Sequence, residues 1–279
     1  MIRFSAGQVE QPVRQMVPVR GQDAIFAAMP AVEGGAEGAG GAMGVKVVTL
    51  FHGNAGTEIP THQAVILMFD SRNGAPLAVM DGRLITEMRT AAGTAGAARK
   101  LAVADPEIVT IMGNGVQARA HAEALAAVRP IGELRLWSRN EASGRRVADD
   151  LGARYVASAE EAVRDADIVA CTTSATEPVL DGAWLKDGAF VASVGWNGAD
   201  GRELDDVAMA HTVLVESRDA ARDQAGNVRG SGCAIFAEVG EIYAGTKSVP
   251  AGATVIYDSV GIAIQDVAAA KLAYDLVTG

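Results

Sequence analysis

Ile111-Met112-Gly113-Asn114-Gly115-Val116-Gln117-Ala118 forms a G-x-G-x-x-A pattern, in which an apolar run ends at a glycine turn and a helix-forming run begins. In such a pattern the first glycine permits a tight turn, and the second lets the backbone approach a pyrophosphate. The N-terminus of the following helix stabilises the phosphate charge. The pattern therefore predicts a dinucleotide at this turn. The alternative is a tight strand-to-helix turn of the same fold without a cofactor.

Apolar runs and helix-forming runs alternate around this turn. The predicted strands are 107–112, 134–138, 167–173, 189–195 and 212–216, and the predicted helices between them include 116–128 and 141–151. Repeated strand–helix units with almost continuously apolar strands indicate a parallel sheet that is covered on both faces. The expected fold class is therefore α/β, with a Rossmann-type parallel sheet.

The first ninety residues have a different pattern. Runs 45–51, 64–70 and 76–80 are typical of strands, and the Asn73-Gly74 pair between the last two is a hairpin signal. An Ala-rich helix is expected over 85–101, and a C-terminal helix over 263–276 has no evident place in the parallel sheet. We predict a Rossmann domain at 93–255 and a smaller α+β domain formed by 1–92 with 256–279.

The composition excludes several classes of protein. Of 279 residues, 49% are apolar and 21% charged, with a net charge of −10, which argues against general binding to nucleic acid or anionic membranes. Two cysteines make no disulfide framework, and neither they nor the four histidines have metal-ligand spacing. No apolar run approaches the length of a membrane span, and no signal core opens the chain. A cytoplasmic protein without a metal is expected.

The residues after the second and third strands of the parallel sheet bear on the choice of cofactor. An NAD site usually has an acidic residue at the end of the second strand, to bind the ribose 2′-hydroxyl. Here Ser138-Arg139-Asn140 follows that strand, and an arginine with a hydroxyl suits a 2′-phosphate. NADP(H) is therefore the preferred cofactor, with NAD(H) as the alternative. The alternative is that Arg139 is a solvated residue at a helix start. The Thr172 and Thr173 hydroxyls either line the cofactor or only shape the turn.

Three basic residues stand out as candidates for binding a substrate: Arg20, Lys46 and Arg89. Lys46 interrupts an apolar strand, and a buried ammonium needs a partner or a bound anion. The alternative is a lysine that extends to solvent from a sheet edge. Arg89, near the start of the Ala-rich helix, offers a fork of donors to a carboxylate. The alternative is that Arg89 is an exposed charge at a helix end.

Several separate motifs occur beyond the glycine turn: Pro60-Thr61-His62-Gln63-Ala64, the run from Gly74 to Gly82, Arg89-Thr90-Ala91-Ala92, Arg202-Glu203-Leu204-Asp205, the run from Ile235 to Glu241, and Ser259-Val260-Gly261 with Asp266. In these motifs the chain resembles the ornithine cyclodeaminase/mu-crystallin family, and within it the mu-crystallin-like ketimine reductase branch. The resemblance implies a homodimer in which the N-terminal part and the C-terminal helix form a substrate-binding and dimerisation domain.

The resemblance also implies roles for individual residues. Arg20 and Arg89 would hold a substrate carboxylate, and Lys46 would stabilise or protonate the reacting nitrogen, so that Lys46 and Arg89 are the expected catalytic residues. Gly195 and Gly261 would lie beside the cofactor, the latter near the nicotinamide. Asn197 stands where ornithine cyclodeaminases place an aspartate that binds the substrate amine, which disfavours cyclodeamination.

These observations lead to an expected activity. The chain is expected to use NAD(P)H to reduce small ketimine carboxylates of the 1-pyrroline-2-carboxylate or 1-piperideine-2-carboxylate type to cyclic or N-substituted amino acids. The alternatives are an ornithine cyclodeaminase or alanine-type amino-acid dehydrogenase that uses NAD, and a non-catalytic protein that binds cofactor and ligand.

Overall fold

A computed structural model describes residues 1–35, 41–195 and 200–279. The chain divides into two compact units. The first unit comprises Met1–Arg89 with Gly261–Gly279, and the second unit comprises Thr90–Val260. The first unit contains an antiparallel sheet and the second a parallel sheet, which confirms the expected α/β fold class.

The elements are numbered in chain order. The strands are β1 Val9–Glu10, β2 Gln15–Pro18, β3 Ala24–Glu33, β4 Ala42–Phe51, β5 His62–Phe69, β6 Pro76–Asp81, β7 Ile108–Met112, β8 Glu133–Trp137, β9 Arg154–Tyr155, β10 Ile168–Cys171, β11 Phe190–Ser193, β12 Thr212–Val215, β13 Ile235–Glu238 and β14 Val255–Asp258. The helices are α1 Ile2–Ser5, α2 Gly82–Leu101, α3 Val116–Ala126, α4 Glu141–Leu151, α5 Ala159–Val163, α6 Asp206–Met209, α7 Arg218–Gln224, α8 Gly226–Ser231, α9 Val239–Ala244 and α10 Ala263–Thr278. No helix among the described residues has both the length and the apolar character of a membrane span.

In the first unit, one face of the sheet is covered by the C-terminal helix. The strand order is β1-β3-β4-β5-β6, with β2 also paired to β3, and α10 packs on β3, β4 and β5. Because successive side chains of a strand point to opposite faces, Gly44 and Lys46 of β4 are on the face that α10 covers. A Cβ on Gly44 would lie 2.7 Å from the carbonyl oxygen of Leu67 on β5 and 3.4 Å from Val267 of α10, so the missing side chain relieves a close approach to the neighbouring strand.

The opposite face of this sheet is apolar and partly exposed. Register places Pro30, Val45, Leu67 and Val79 in one row across four strands. Directly opposed residues share a face, and Val79 at the end of the row is 75% exposed. Within the described ranges, the first unit therefore presents a partly exposed apolar surface, which we call the outward face.

In the second unit, parallel strands run in the order β13-β12-β14-β11-β10-β7-β8-β9. The predicted strands occur as β7, β8, β10, β11 and β12, with ends within two residues of the expected limits. The sequence pattern missed β14, although it lies between β12 and β11 and is fully buried. Strands β10, β11 and β12 also have four residues, so length alone does not explain why β14 was missed.

Candidate functional site

A buried ion-pair cluster occupies the covered face of the first sheet. Lys46 of β4 has a side chain that is 3% exposed, and its Nζ lies 2.7 Å from Oδ2 of Asp266. It also donates a hydrogen bond to Oγ1 of Thr86 at 3.3 Å. The other oxygen of Asp266, Oδ1, accepts a hydrogen bond from Nε of Arg89 at 2.8 Å. The strand lysine therefore points inward, and a single carboxylate on α10 pairs with two cations.

A third cation, Arg14, adds positive charge to this cluster. Its guanidinium donates to the carbonyl oxygen of Gly261 at 3.3 Å, and its charge acts on both Lys46 and His62. Among the charged groups that act on Lys46, Asp266 is the carboxylate and Arg89 and Arg14 are the cations. Partly desolvated cationic side chains suit an anionic ligand group such as a carboxylate.

Burial and mutual charge set the protonation of the cluster. Burial, together with the nearby Arg89 and Arg14, lowers the pKa of Lys46 to about 7, against the opposing effect of Asp266. Burial opposes ionisation of Asp266, but Arg89 and Lys46 hold its pKa below the usual range. Burial and the same two cations lower the pKa of His62 to about 4. At neutral pH the site therefore holds an ionised aspartate, a neutral histidine and a lysine that titrates.

Gly261 supports the guanidinium of Arg89. The glycine has a φ of +72°, and a Cβ there would lie 2.5 Å from Nη1 and 2.7 Å from Nη2 of Arg89. Nη1 also donates to Oε1 of Gln265 at 3.3 Å. Both the backbone conformation and the close approach of Arg89 therefore require glycine, a local reason that the sequence did not reveal.

The structure brings Lys46 and Arg89 together but does not bring Arg20 to them. Arg20 is exposed in the turn after β2, whereas Arg14, just before β2, is half-buried. The sequence contains Pro-Val-Arg twice, ending at Arg14 and at Arg20, and nothing in the repeated tripeptide indicates which arginine points inward. The sequence analysis assigned no role to Asp266. An acidic residue within the apolar stretch of α10 was the signal that could have identified it.

The glycine turn of the second unit contains one glycine that the fold requires and one that it does not. Gly113 has a φ of +127°, and a Cβ there would lie 2.5 Å from Oγ1 of Thr172. Gly115 has a φ of −87°, and no described atom lies within 4 Å of a Cβ built on it. The space beside Gly115 is therefore open to a ligand.

The start of α3, which follows Gly115, suits an anion. Its first turn contains no acidic residue, and among the described residues no side chain caps it. The first amide groups of a helix lack intrahelical partners and attract phosphate. Asn114 is turned aside, since its amide donates to Oγ of Ser143 at 2.6 Å. Together with the open side of Gly115, this helix start fits the pyrophosphate of a dinucleotide.

After β8, the three predicted cofactor residues differ in availability. Oγ of Ser138 donates to the carbonyl oxygen of Asn140 at 2.9 Å, and Oδ1 of Asn140 caps α4 by accepting from the Ser143 amide at 3.0 Å. Arg139 is exposed, and no carboxylate in the described ranges pairs with it. Of the three, Arg139 has the side chain available to a ligand.

Two of the predicted residues at the ends of β10 and β11, Thr173 and Gly195, are bound to a carboxylate to which sequence reasoning gave no role. Buried Glu203 accepts hydrogen bonds from the amide and hydroxyl of Thr173 at 2.6 and 2.7 Å, and from the Gly195 amide at 2.9 Å. Burial raises its pKa against these hydrogen bonds. The Thr172 hydroxyl donates to the carbonyl oxygen of Met112 at 3.0 Å. These hydroxyls therefore stabilise the sheet edge, and Asn197 lies outside the described residues.

Comparisons with known proteins cover the whole chain. The model of the ornithine cyclodeaminase/mu-crystallin family matches residues 1–279. The chain is similar to the ketimine reductase mu-crystallin of Mus musculus, with 41% identity over 272 residues, which are 96% of this chain and 86% of that protein. It is 33% identical over 289 residues to the Δ1-pyrroline-2-carboxylate reductase of Bacillus cereus, covering 98% of this chain and 87% of the other.

A solved structure is similar over the same span. The Δ1-pyrroline-2-carboxylate reductase of Thermococcus litoralis, in complex with NADH and L-proline, superposes with a TM-score of 0.91 and 34% identity, covering 98% of this chain and 88% of that one.

Proposed function

The chain belongs to the ornithine cyclodeaminase/mu-crystallin family, and we propose that it is an NAD(P)H-dependent reductase of small ketimine carboxylates. The substrates are of the 1-pyrroline-2-carboxylate or 1-piperideine-2-carboxylate type, and the products are cyclic or N-substituted amino acids. The observation that carries the proposal is the buried cluster in which Asp266 pairs with both Lys46 and Arg89. The names of the relatives, which are imine reductases, support the same chemistry.

The cluster offers the groups that imine reduction requires. Reduction adds a hydride to the carbon and a proton to the nitrogen of the C=N bond, and the nicotinamide supplies the hydride when bound. Arg89 and Arg14 bind the substrate carboxylate and so orient the C=N bond. Lys46 donates the proton from Nζ to the imine nitrogen. Because its pKa is lowered to about 7, Lys46 both holds and releases a proton near neutral pH.

The cofactor is assigned to the second unit. The open side of Gly115 and the uncapped start of α3 support a pyrophosphate site. The exposed guanidinium of Arg139, at the end of β8, supports a preference for the 2′-phosphate of NADP(H) over NAD(H). Thr172, Thr173 and Gly195 serve this site by fixing the strand ends. Substrate binding and dimerisation are assigned to the first unit.

The partner of the first unit is a second copy of the chain. The outward face carries apolar residues in register on neighbouring strands, and exposed apolar patches of this kind mark protein interfaces. Pairing of two outward faces about a twofold axis would cover both, which is the common arrangement in homodimers.

Imine-dependent oxidation of NADPH and NADH by the purified protein tests the proposed activity. We expect turnover with 1-piperideine-2-carboxylate or 1-pyrroline-2-carboxylate, faster with NADPH. Lys46→Met should reduce kcat by about 10²–10⁴-fold, the usual contribution of a general acid, while NADPH still binds. The control is Lys100→Met, because Lys100 is exposed at the end of α2 and should not affect kcat.

Each negative outcome points to a different function. Ammonia release from ornithine with NAD⁺, without imine reduction, would identify a cyclodeaminase. Binding of NADPH and an imino acid without turnover would identify a binding protein. If Arg139→Ala leaves the KM for NADPH unchanged, the 2′-phosphate assignment is wrong.

A further inference from the structure

We propose that Asp266 is the positioning residue of the site: its two carboxylate oxygens fix Lys46 and Arg89 relative to each other and keep Lys46 protonated as the proton donor. This inference rests on the proposed function, since it gives Lys46 a reaction to serve. Asp266 itself is fully buried and acts on the substrate only through the two cations.

Each carboxylate oxygen of Asp266 contacts a different cation. Oδ2 lies 2.7 Å from Nζ of Lys46, and Oδ1 accepts from Nε of Arg89 at 2.8 Å. Arg89 uses Nε for this contact, which leaves its two terminal nitrogens facing Gly261 and Gln265. Gln265 also caps α10, because its Oε1 accepts from the Ile262 amide at 3.0 Å. The first turn of α10 therefore orients the guanidinium from two adjacent residues.

The groups around Lys46 show which charges Asp266 holds in place. Lys46 is faced by Asp266 from α10, Arg89 from α2 and Arg14 from the segment before β2, with His62 of β5 also nearby. Removal of one partner of a buried ion pair leaves an uncompensated charge, which is costly. The carboxylate of a bound substrate would add a second negative charge beside these cations.

The same arrangement predicts what happens when the charge of Asp266 is removed. Burial and the cations Arg89 and Arg14 lower the pKa of Lys46 to about 7, and Asp266 opposes them. Without this carboxylate, the pKa of Lys46 must fall further. Lys46 would then be neutral at pH 7 and would have no proton to donate.

Asp266→Asn tests the proposal, with the titration of Lys46 as a readout that does not depend on activity. The chain contains five lysines, so the ¹³Cε signals of protein labelled with [ε-¹³C]lysine can be followed individually, with Lys46 assigned through Lys46→Met. We expect the midpoint of Lys46 to fall by about one to three pH units in Asp266→Asn, the usual effect of a close opposite charge.

Asp275→Asn is the matched control. Asp275 lies on the same helix, and its carboxylate pairs with Lys271 at 2.6 Å on the surface. The substitution is chemically identical but should leave the Lys46 midpoint unchanged. An unchanged midpoint in Asp266→Asn, with only a lower Tm, would overturn the proposal and leave Asp266 a structural residue.

The rate profile links the titration to the reaction. In the wild type, imine reduction should decline as pH rises through about 7, because Lys46 loses its proton there. In Asp266→Asn this decline should move to lower pH by the same amount as the Lys46 midpoint. Asp266→Glu covers the case in which the asparagine variant does not fold: it keeps the charge, so the midpoint should stay near that of the wild type while kcat falls.

The two proposals fail in different ways. A shifted Lys46 midpoint in a protein that reduces no imine would contradict the proposed function while leaving the electrostatic role of Asp266 intact. Imine reduction with a rate profile that does not follow the Lys46 midpoint would contradict the role of Asp266 alone.

Discussion

Gly261 has a left-handed backbone conformation and also lies against the guanidinium of Arg89. Comparison of two Gly-to-Ala variants separates the effects of these two features. Gly261→Ala forces a side chain into a φ of +72° and against the guanidinium of Arg89, 2.5 Å from Nη1. The left-handed conformation should cost about 1–2 kcal/mol of stability. Displacement of Arg89 should lower kcat/KM for the imine by about 100-fold, as expected for a misplaced binding group.

Gly252→Ala is the control for Gly261→Ala. Gly252 has almost the same φ, +73°, but no described atom lies within 4 Å of its added Cβ. Thermal unfolding should show a comparable loss of stability in both variants, and steady-state kinetics should show a loss only in Gly261→Ala. Equal kinetics in the two variants would mean that Arg89 tolerates the displacement.

At this scale, sequence reasoning identified some residues of the cluster and missed others for clear physical reasons. A lysine inside an apolar strand must find a partner, so Lys46 was identifiable from its neighbours alone. Arg14 and Arg20 follow identical dipeptides, and only the path of the chain before and after β2 distinguishes the buried one. Asp266 lies 220 residues beyond Lys46, and only the packing of α10 on β4 brings them together.

The turn between β7 and α3 permits a test that separates ligand binding from folding. Gly115→Ala places a methyl group in the open space beside α3, where we place the pyrophosphate, and should weaken NADPH binding by about tenfold or more, roughly 1.4 kcal/mol. Since a Gly-to-Ala change at an N-cap costs about 1 kcal/mol or less, stability should change little. In Gly113→Ala, the added Cβ would lie 2.5 Å from Oγ1 of Thr172, at a residue with a φ of +127°. We expect this variant to lose about 1–3 kcal/mol of stability.

Fluorescence titration with NADPH and urea denaturation of both variants measure these effects. Unchanged NADPH affinity in Gly115→Ala would contradict the pyrophosphate assignment. A stable Gly113→Ala variant would show that the contact with Thr172 relaxes more easily than its geometry indicates.

Strands and helices could be predicted where the local pattern of apolar residues is long enough to identify them. Strand β10 is buried throughout, and β7 is buried in all but its first residue. Both are almost continuous apolar runs, so the parallel sheet was predictable from the sequence. Strand β14 was not identified although it is as long as β10, β11 and β12, and its position between β12 and β11 depends on the chain crossing the sheet, which no local pattern reveals. Helices α5 to α9 have four to seven residues, too few to show a helical period.

At the scale of the whole molecule, the outward face leads to a prediction about assembly. Val79 lies at the end of the row with Leu67 and Val45 and is 75% exposed. Val79→Lys should therefore fold as the wild type does, because exposed substitutions usually change stability by within about 0.5 kcal/mol. In a dimer that pairs two outward faces, the lysine would place a charge in the apolar interface of each copy, and we expect the dimer Kd to rise about 100-fold, or about 2.8 kcal/mol.

Light scattering coupled to size-exclusion chromatography, over a range of protein concentrations, measures this change. Val207→Lys is the control, since Val207 is 53% exposed on α6 of the second unit and should leave the dimer intact. A monomeric wild type would contradict the homodimer, and a Val79→Lys dimer as stable as the wild type would place the interface elsewhere. If dimerisation covers the outward face, Val79→Lys should weaken assembly and leave the titration of Lys46 unchanged, because Lys46 points to the opposite side of the same sheet.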